Sequence, residues 1–194
     1  INCYSIDEAA GRLANQETLA LTQEAGKWKL DGAEMFNEGP VRAMAAALDG
    51  LKIVDARPKP ASLAEDLRKG EIGLTLEAAM SLRQKGFLLA SSGRLLANEG
   101  EMNVETKNGL LYSLRFGEVA TSGAEVRPAA GTGGNRHLLV LVNFSQERAA
   151  KYGGDAASGE RLARNLNDRC ADWYFVISDA DFKRLRLRRS DLVK

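Results

Sequence analysis

Met102-Asn103-Val104-Glu105-Thr106, Lys107-Asn108-Gly109 and then Leu110-Leu111-Tyr112-Ser113-Leu114-Arg115-Phe116-Gly117-Glu118-Val119 is the stretch on which the fold turns. Met102, Val104 and Thr106 alternate with polar residues. Leu110, Tyr112, Leu114 and Phe116 alternate again, the period-2 pattern of a strand with one face on a core. Asn108-Gly109 between the two runs predicts a hairpin, because both residue types tolerate positive φ. Downstream, Leu138 to Phe144 is an apolar run broken only by Asn143, suited to a central strand covered on both faces. Trp173 to Ile177 reads as the last strand.

Upstream, Leu19 and Leu21, then Trp28 and Leu30, also alternate with polar residues, and Ala25-Gly26 marks a turn between them. Val41, Met44, Ala45 and Leu48 follow helical spacing behind Pro40, with Gly50 as a stop. Leu51 to Ala56 reads as a strand and Arg57-Pro58-Lys59-Pro60 as a rigid connector. Ser62 with Glu65 predicts a capped helix over 63–69. Thr75 caps a second helix with Leu76, Ala79 and Met80 on one face, stopped by Gly86. Phe87 to Ala90 and Arg94 to Ala97 pair about Ser92-Gly93. Ser158 caps a helix carrying Leu162, Leu166 and Cys170, and Ser178 with Asp181 opens a short one carrying Phe182 and Leu185. Residues 120–135 and 151–158 read as loops.

A hairpin, a helix and a strand recur in 17–56 and, with one extra strand, in 102–177. The expectation is an α+β fold of antiparallel hairpins with helices packed on one face, arranged as two duplicated hairpin-helix-strand lobes. The division falls between an N-terminal lobe, 1–58, and a C-terminal α+β lobe, 59–194, forming one continuous unit.

Lys plus Arg number 27 against 26 Asp plus Glu in 194 residues, a net charge of +1, so no global attraction to nucleic acid or anionic lipid is expected. No apolar run approaches the roughly 20 residues that span a bilayer. A first residue of Ile is what a processed chain or one cut from a longer one would have, which leaves room for an N-terminal anchor before it. Cys3 and Cys170 are the two cysteines, open either to a disulfide in an oxidising compartment or to two separate thiols.

Chemistry-bearing residues are sparse. His137 is the single histidine, at the mouth of an apolar strand; any acid–base arrangement built on histidine must use it, and a two-histidine metal site is excluded. Gly131-Thr132-Gly133-Gly134 lacks the following helix and Lys-Ser/Thr pair of a phosphate loop. The basic C-terminus from Lys183 to Lys194 reads as a solvated end. Trp28, Trp173 and Tyr174 stand near strand ends, where large aromatics either pack or line a groove. No catalytic, cofactor-binding or metal-binding residue is assigned and no cofactor is expected.

Several segments together carry a resemblance: Gly86-Phe87-Leu88-Leu89, Gly93 to Gly100, Gly109 to Gly117, Asn135-Arg136-His137-Leu138-Leu139-Val140, Asp172 to Ser178, and Asp191-Leu192-Val193. In this order, after Trp28-Lys29-Leu30 and a helix, the chain resembles the domain of unknown function 4340 family over residues 17–194. The resemblance implies a bacterial envelope protein with one N-terminal membrane helix, absent here, and a soluble part in the periplasm or otherwise outside the cytoplasm. It further implies an auxiliary of gliding-type ABC transporters, with a transporter component or another envelope protein as partner, no nucleic acid, and membrane contact only through that absent helix. Catalytic residues are not implied. The function expected is therefore a non-catalytic extracytoplasmic domain with a protein-interaction or transporter-auxiliary role. The alternative is a small-molecule or glycan-binding module, and the surface residues to watch in either case are Trp28, Trp173, Tyr174 and His137.

Overall fold

The computed structural model describes all residues except 8–11, 71–72, 74, 91, 121–133 and 194. Among the described residues the elements run β1 (Asn2–Asp7), β2 (Arg12–Thr18), β3 (Leu21–Glu24), β4 (Lys27–Leu30), α1 (Glu38–Asp49), β5 (Ile53–Pro58), α2 (Ala61–Lys69), α3 (Leu76–Gln84), β6 (Phe87–Leu89) and β7 (Leu95–Ala97). They continue with β8 (Glu101–Glu105), β9 (Leu110–Val119), β10 (Arg136–Phe144), α4 (Gln146–Lys151), α5 (Ala156–Ala171), β11 (Trp173–Ile177), α6 (Asp179–Leu185) and α7 (Arg189–Leu192). The fold is α+β, built on a large antiparallel sheet of seven strands in the order β2-β1-β8-β9-β10-β11-β5. The hairpins β3–β4 and β6–β7 form two small sheets beside it.

The β8–β9 hairpin forms where the alternation placed it, with Met102 opposite Leu114 and Val104 opposite Tyr112. Its turn is different. Gly109 alone has positive φ, and its N–H donates to the Thr106 carbonyl at 3.1 Å, so Lys107 and Asn108 keep ordinary backbone angles. A three-residue loop closed by a left-handed glycine matches the strand twist without asking Asn108 for a strained conformation. Side-chain space makes the same demand at Gly109, since a Cβ there would sit 2.6 Å from the Ser145 carbonyl.

Helices cover both faces of the sheet, not one. Leu138 belongs to a core shared with Val41 and Met44 of α1, Phe182 and Leu185 of α6, and Leu192 of α7. Its neighbour Leu139 belongs to a second core with Leu63 and Leu67 of α2, Ala78 and Leu82 of α3, and Phe87 of β6. Adjacent residues of a strand point to opposite faces. A strand apolar at every position from Leu138 to Val142 therefore needs cover on both sides, each fully buried leucine being worth about 1.5–3 kcal/mol.

Two helices turn a different face inward from the one their leucines suggest. In α3 the buried residues are Ala78 and Leu82, while Leu76 and Met80 are exposed. In α5 Gly159, Ala163 and Ala171 are buried, Leu166 packs against the same core as Ala163 and Cys170 is half-buried, while Leu162 is exposed, so the inward face is shifted from the expected stripe, not opposite to it. A Cβ on Gly159 would come within 2.3 Å of the Phe144 ring, so small residues set how closely α5 approaches β10. The start of α5 is capped by Asp155, which accepts from Ala157 and Ser158 N–H, not by Ser158. No side chain caps α2; Ser62 lies inside it, its hydroxyl 3.4 Å from that of Thr75. Thr75 and Ser178 cap α3 and α6 as the sequence predicts. The glycines at 131–133 and the 121–133 part of the expected loop lie outside the described residues.

Residues 1–58 and 59–194 meet in one sheet: β1, β2 and β5 come from the first stretch and the other four strands from the second. The join between β1 and β8 is a single register pair, Asn2 with Glu101. Glu101 is buried there and takes Arg94 at 2.6 Å and Asn2 Nδ2 at 3.1 Å, which ties that narrow junction together.

Candidate functional site

Three of the four surface candidates lie where β10, β11 and β5 meet. Register places His137 opposite Val176, and Val176 opposite Asp55. Tyr174 lies opposite Arg57, and Trp173 opposite Pro58. His137 and Tyr174 therefore share one face of the sheet, and Trp173 projects from the other. Trp28 sits apart, on the β3–β4 hairpin, half-buried against the core that contains α1.

Their environments differ. Trp173 is 41% exposed. Tyr174 is fully buried, stacked on Phe87 with ring centroids 5.9 Å apart, and its hydroxyl lies 3.0 Å from Ser81 Oγ. Burial pushes that hydroxyl up to about 12, against the opposing effect of the Ser81 hydrogen bond. His137 is 5% exposed, and among the described residues its Nδ1 has no hydrogen-bond partner. Burial, helped by the positive charges of Lys85 and Arg57, pulls it down to about 4, so the ring is neutral at physiological pH. Asp55 and Arg57 are themselves open to water and paired with each other at 2.8 Å. They form no water-shielded reactive cluster with the imidazole.

Lys59, read from the sequence as part of a connector, is the residue that organises this corner. Its Nζ donates to the carbonyls of Cys170 at 2.9 Å and Trp173 at 2.7 Å, and lies 5.2 Å from the Tyr174 ring centre. It thereby satisfies one carbonyl at the end of α5 and one at the start of β11, and fastens the end of β5 to that corner. Burial pulls its ammonium down to about 7. The clue in the sequence is parity. Lys59 N–H donates to the Asp172 carbonyl, so residues 57 and 59 turn their main chain to β11 while 56, 58 and 60 turn theirs outward. Pro58 and Pro60 stand where an edge strand needs no N–H.

Both cysteines are free thiols. Burial raises each, which keeps them protonated and unreactive; Cys3 Sγ donates to the Leu187 carbonyl at 3.4 Å. Among the described residues no three His, Cys, Asp or Glu side chains converge as a metal site, and no helix is long and apolar enough to cross a membrane.

An open concavity lies elsewhere, between the end of α2, the first half of α5 and the far end of β10. It is an open groove of about 860 Å³. It exists because β11 pairs with β10 only as far as Leu138, leaving residues 140–144 without a strand on that side. Asn167 of α5 compensates in part. Its Oδ1 accepts the Val142 N–H at 3.2 Å and its Nδ2 donates to the Leu67 carbonyl at 3.2 Å. The lining mixes Leu67, Leu141 and Phe144 with Ala156 and Ala157. The cations on its rim are ion-paired: Arg68 with Asp172 at 2.5 Å, Lys69 with Glu65 at 2.6 Å, Arg164 with Glu160 at 3.6 Å. Composition and periodicity gave no sign of this groove, because it arises from where one strand leaves another. Comparison with protein-family models, curated proteins and solved structures finds no match for the chain.

Proposed function

We propose that this chain is a non-catalytic protein-binding domain that receives an extended segment of a partner in the groove between α2 and α5. The observation that carries the reading is the groove's form: open, half apolar, and rimmed by cations that already have partners. A small charged metabolite or glycan is normally held by polar groups converging on it. Here the Asn167 amide and the rim cations are engaged with the protein itself, which favours shape and apolar contact over polar capture. The envelope compartment and a transporter component as the partner belong to this proposal through the sequence resemblance alone.

The test is selection of displayed peptides on the wild-type chain with counter-selection on Ala157→Trp. Ala157 is exposed on the groove wall, so the indole obstructs part of the groove without disturbing the core. The expected result is a family of peptides with a common apolar spacing that bind the wild type and lose at least about tenfold in affinity on the variant. Peptides that bind both proteins equally, or none at all, would end the reading. Thermal stabilisation by an envelope glycan, abolished by Ala157→Trp, would move it to the small-ligand alternative.

A further inference from the structure

We infer that the free edge of β5 pairs with the same edge of a second copy of this chain, in the antiparallel register that sets Ala56 opposite Ala56. This is independent of the groove and rests on a different part of the molecule. All six residues of β5 are exposed, Ile53 and Val54 among them, and among the described residues the strand ends the sheet with one side unpaired. Such an edge invites strand addition.

Most incoming strands are poorly served by it. Pro58 and Pro60 offer no N–H on the outer side, and the outward Ala56 N–H is held at 2.8 Å by the Oδ1 of Asp55. One register turns these features into complementarity. With Ala56 on the twofold axis, the two Ala56 residues exchange N–H and carbonyl, a reciprocal pair of ladder bonds. Asp55 of each copy then lies opposite Arg57 of the other, on the face where the two already pair within one chain. Asp55 releases the Ala56 N–H to the second copy's carbonyl and finds a second guanidinium, so the hydrogen bond it gives up is replaced. Val54 of each copy meets Pro58 of the other, and the prolines fall outside the central pair of bonds. Shifting the register by two residues sets Asp55 against Asp55 or Arg57 against Arg57. The charge order Asp-Ala-Arg is thus self-complementary about Ala56 alone.

The test is the solution mass of the whole chain by sedimentation over a wide range of concentration. The wild type is expected to move from monomer to dimer. Asp55→Arg and Arg57→Asp each set like charges opposite one another twice and should weaken association about tenfold. The double variant carrying both changes restores opposite charges and should return close to the wild-type constant. Ala56→Pro removes the central N–H, which the fold does not use in its own ladder, and should abolish the dimer while thermal stability stays near wild type. A wild type that stays monomeric throughout would leave the edge to another protein's strand or to water, and would overturn the inference. So would a dimer indifferent to the single variants, or a double variant that fails to recover.

Discussion

His137 shows what a single ionisable side chain does when the chain uses it for packing. Its ordinary value is 6.5, and burial brings it to about 4 in the folded protein. Above pH 6.5 both folded and unfolded forms carry a neutral ring and the residue has no pH-dependent effect. As pH falls below 6.5 the unfolded ring takes a proton first, so stability declines progressively and the loss is complete near pH 4. Each pH unit between the two values corresponds to about 1.36 kcal/mol, so roughly 2–3 kcal/mol should disappear between pH 7 and 4.5. Carboxylates elsewhere add an acid-dependent loss of their own, which makes the difference between proteins the informative quantity. His137→Leu should lose about 2 kcal/mol less than the wild type over that interval in urea unfolding. Equal losses would show that the imidazole is already protonated, or already solvated, in the folded state.

At the scale of elements, α5 stands in for a strand. Where β11 departs after Leu138, Asn167 supplies the acceptor that a neighbouring strand would have given Val142. Asn167→Ala leaves that N–H without its acceptor and the Leu67 carbonyl without its donor, a loss of about 1–3 kcal/mol. The amide of Val142 should also exchange faster with solvent, while those of Leu141 and Asn143, which face β9, keep their protection. Uniform loss along β10 would instead mean that α5 holds the strand by packing alone. This element also marks what the sequence could not disclose. The β8–β9 hairpin, the buried strand β10 and the caps Thr75 and Ser178 were legible because each depends on residues within a few positions of one another. The inward face of α5 was not, since Gly159 and Ala163 are chosen for closeness to Phe144, a partner in another segment. Likewise β1 and β2 carry little alternation of their own and exist through pairing. Of the candidate residues, only the closeness of Trp173 and Tyr174 was readable from their adjacency. The corner they share with His137 and Lys59 follows from strand order, which local pattern does not encode.

Over the whole molecule, the two stretches that look like repeated units in sequence share their interior. Leu19, Leu30, Val41 and Met44 from the first stretch lie in one core with Leu114, Phe116, Leu138 and Ile177 from the second. Neither stretch could keep that core dry alone, and β5 would lose its neighbour β11 if residues 59–194 unfolded first. Folding should therefore be a single event. The two tryptophans report on it from different places, Trp28 on the β3–β4 hairpin and Trp173 at the start of β11. In single-tryptophan proteins, Trp173→Phe observed through Trp28 and Trp28→Phe observed through Trp173, each emission change should coincide with the loss of helical circular dichroism in the same protein. A Trp28 signal that moves at lower denaturant than the circular dichroism of its own variant would mean that the hairpin detaches first. The narrow β1–β8 junction would then be a seam, and the first 58 residues a unit with a stability of their own.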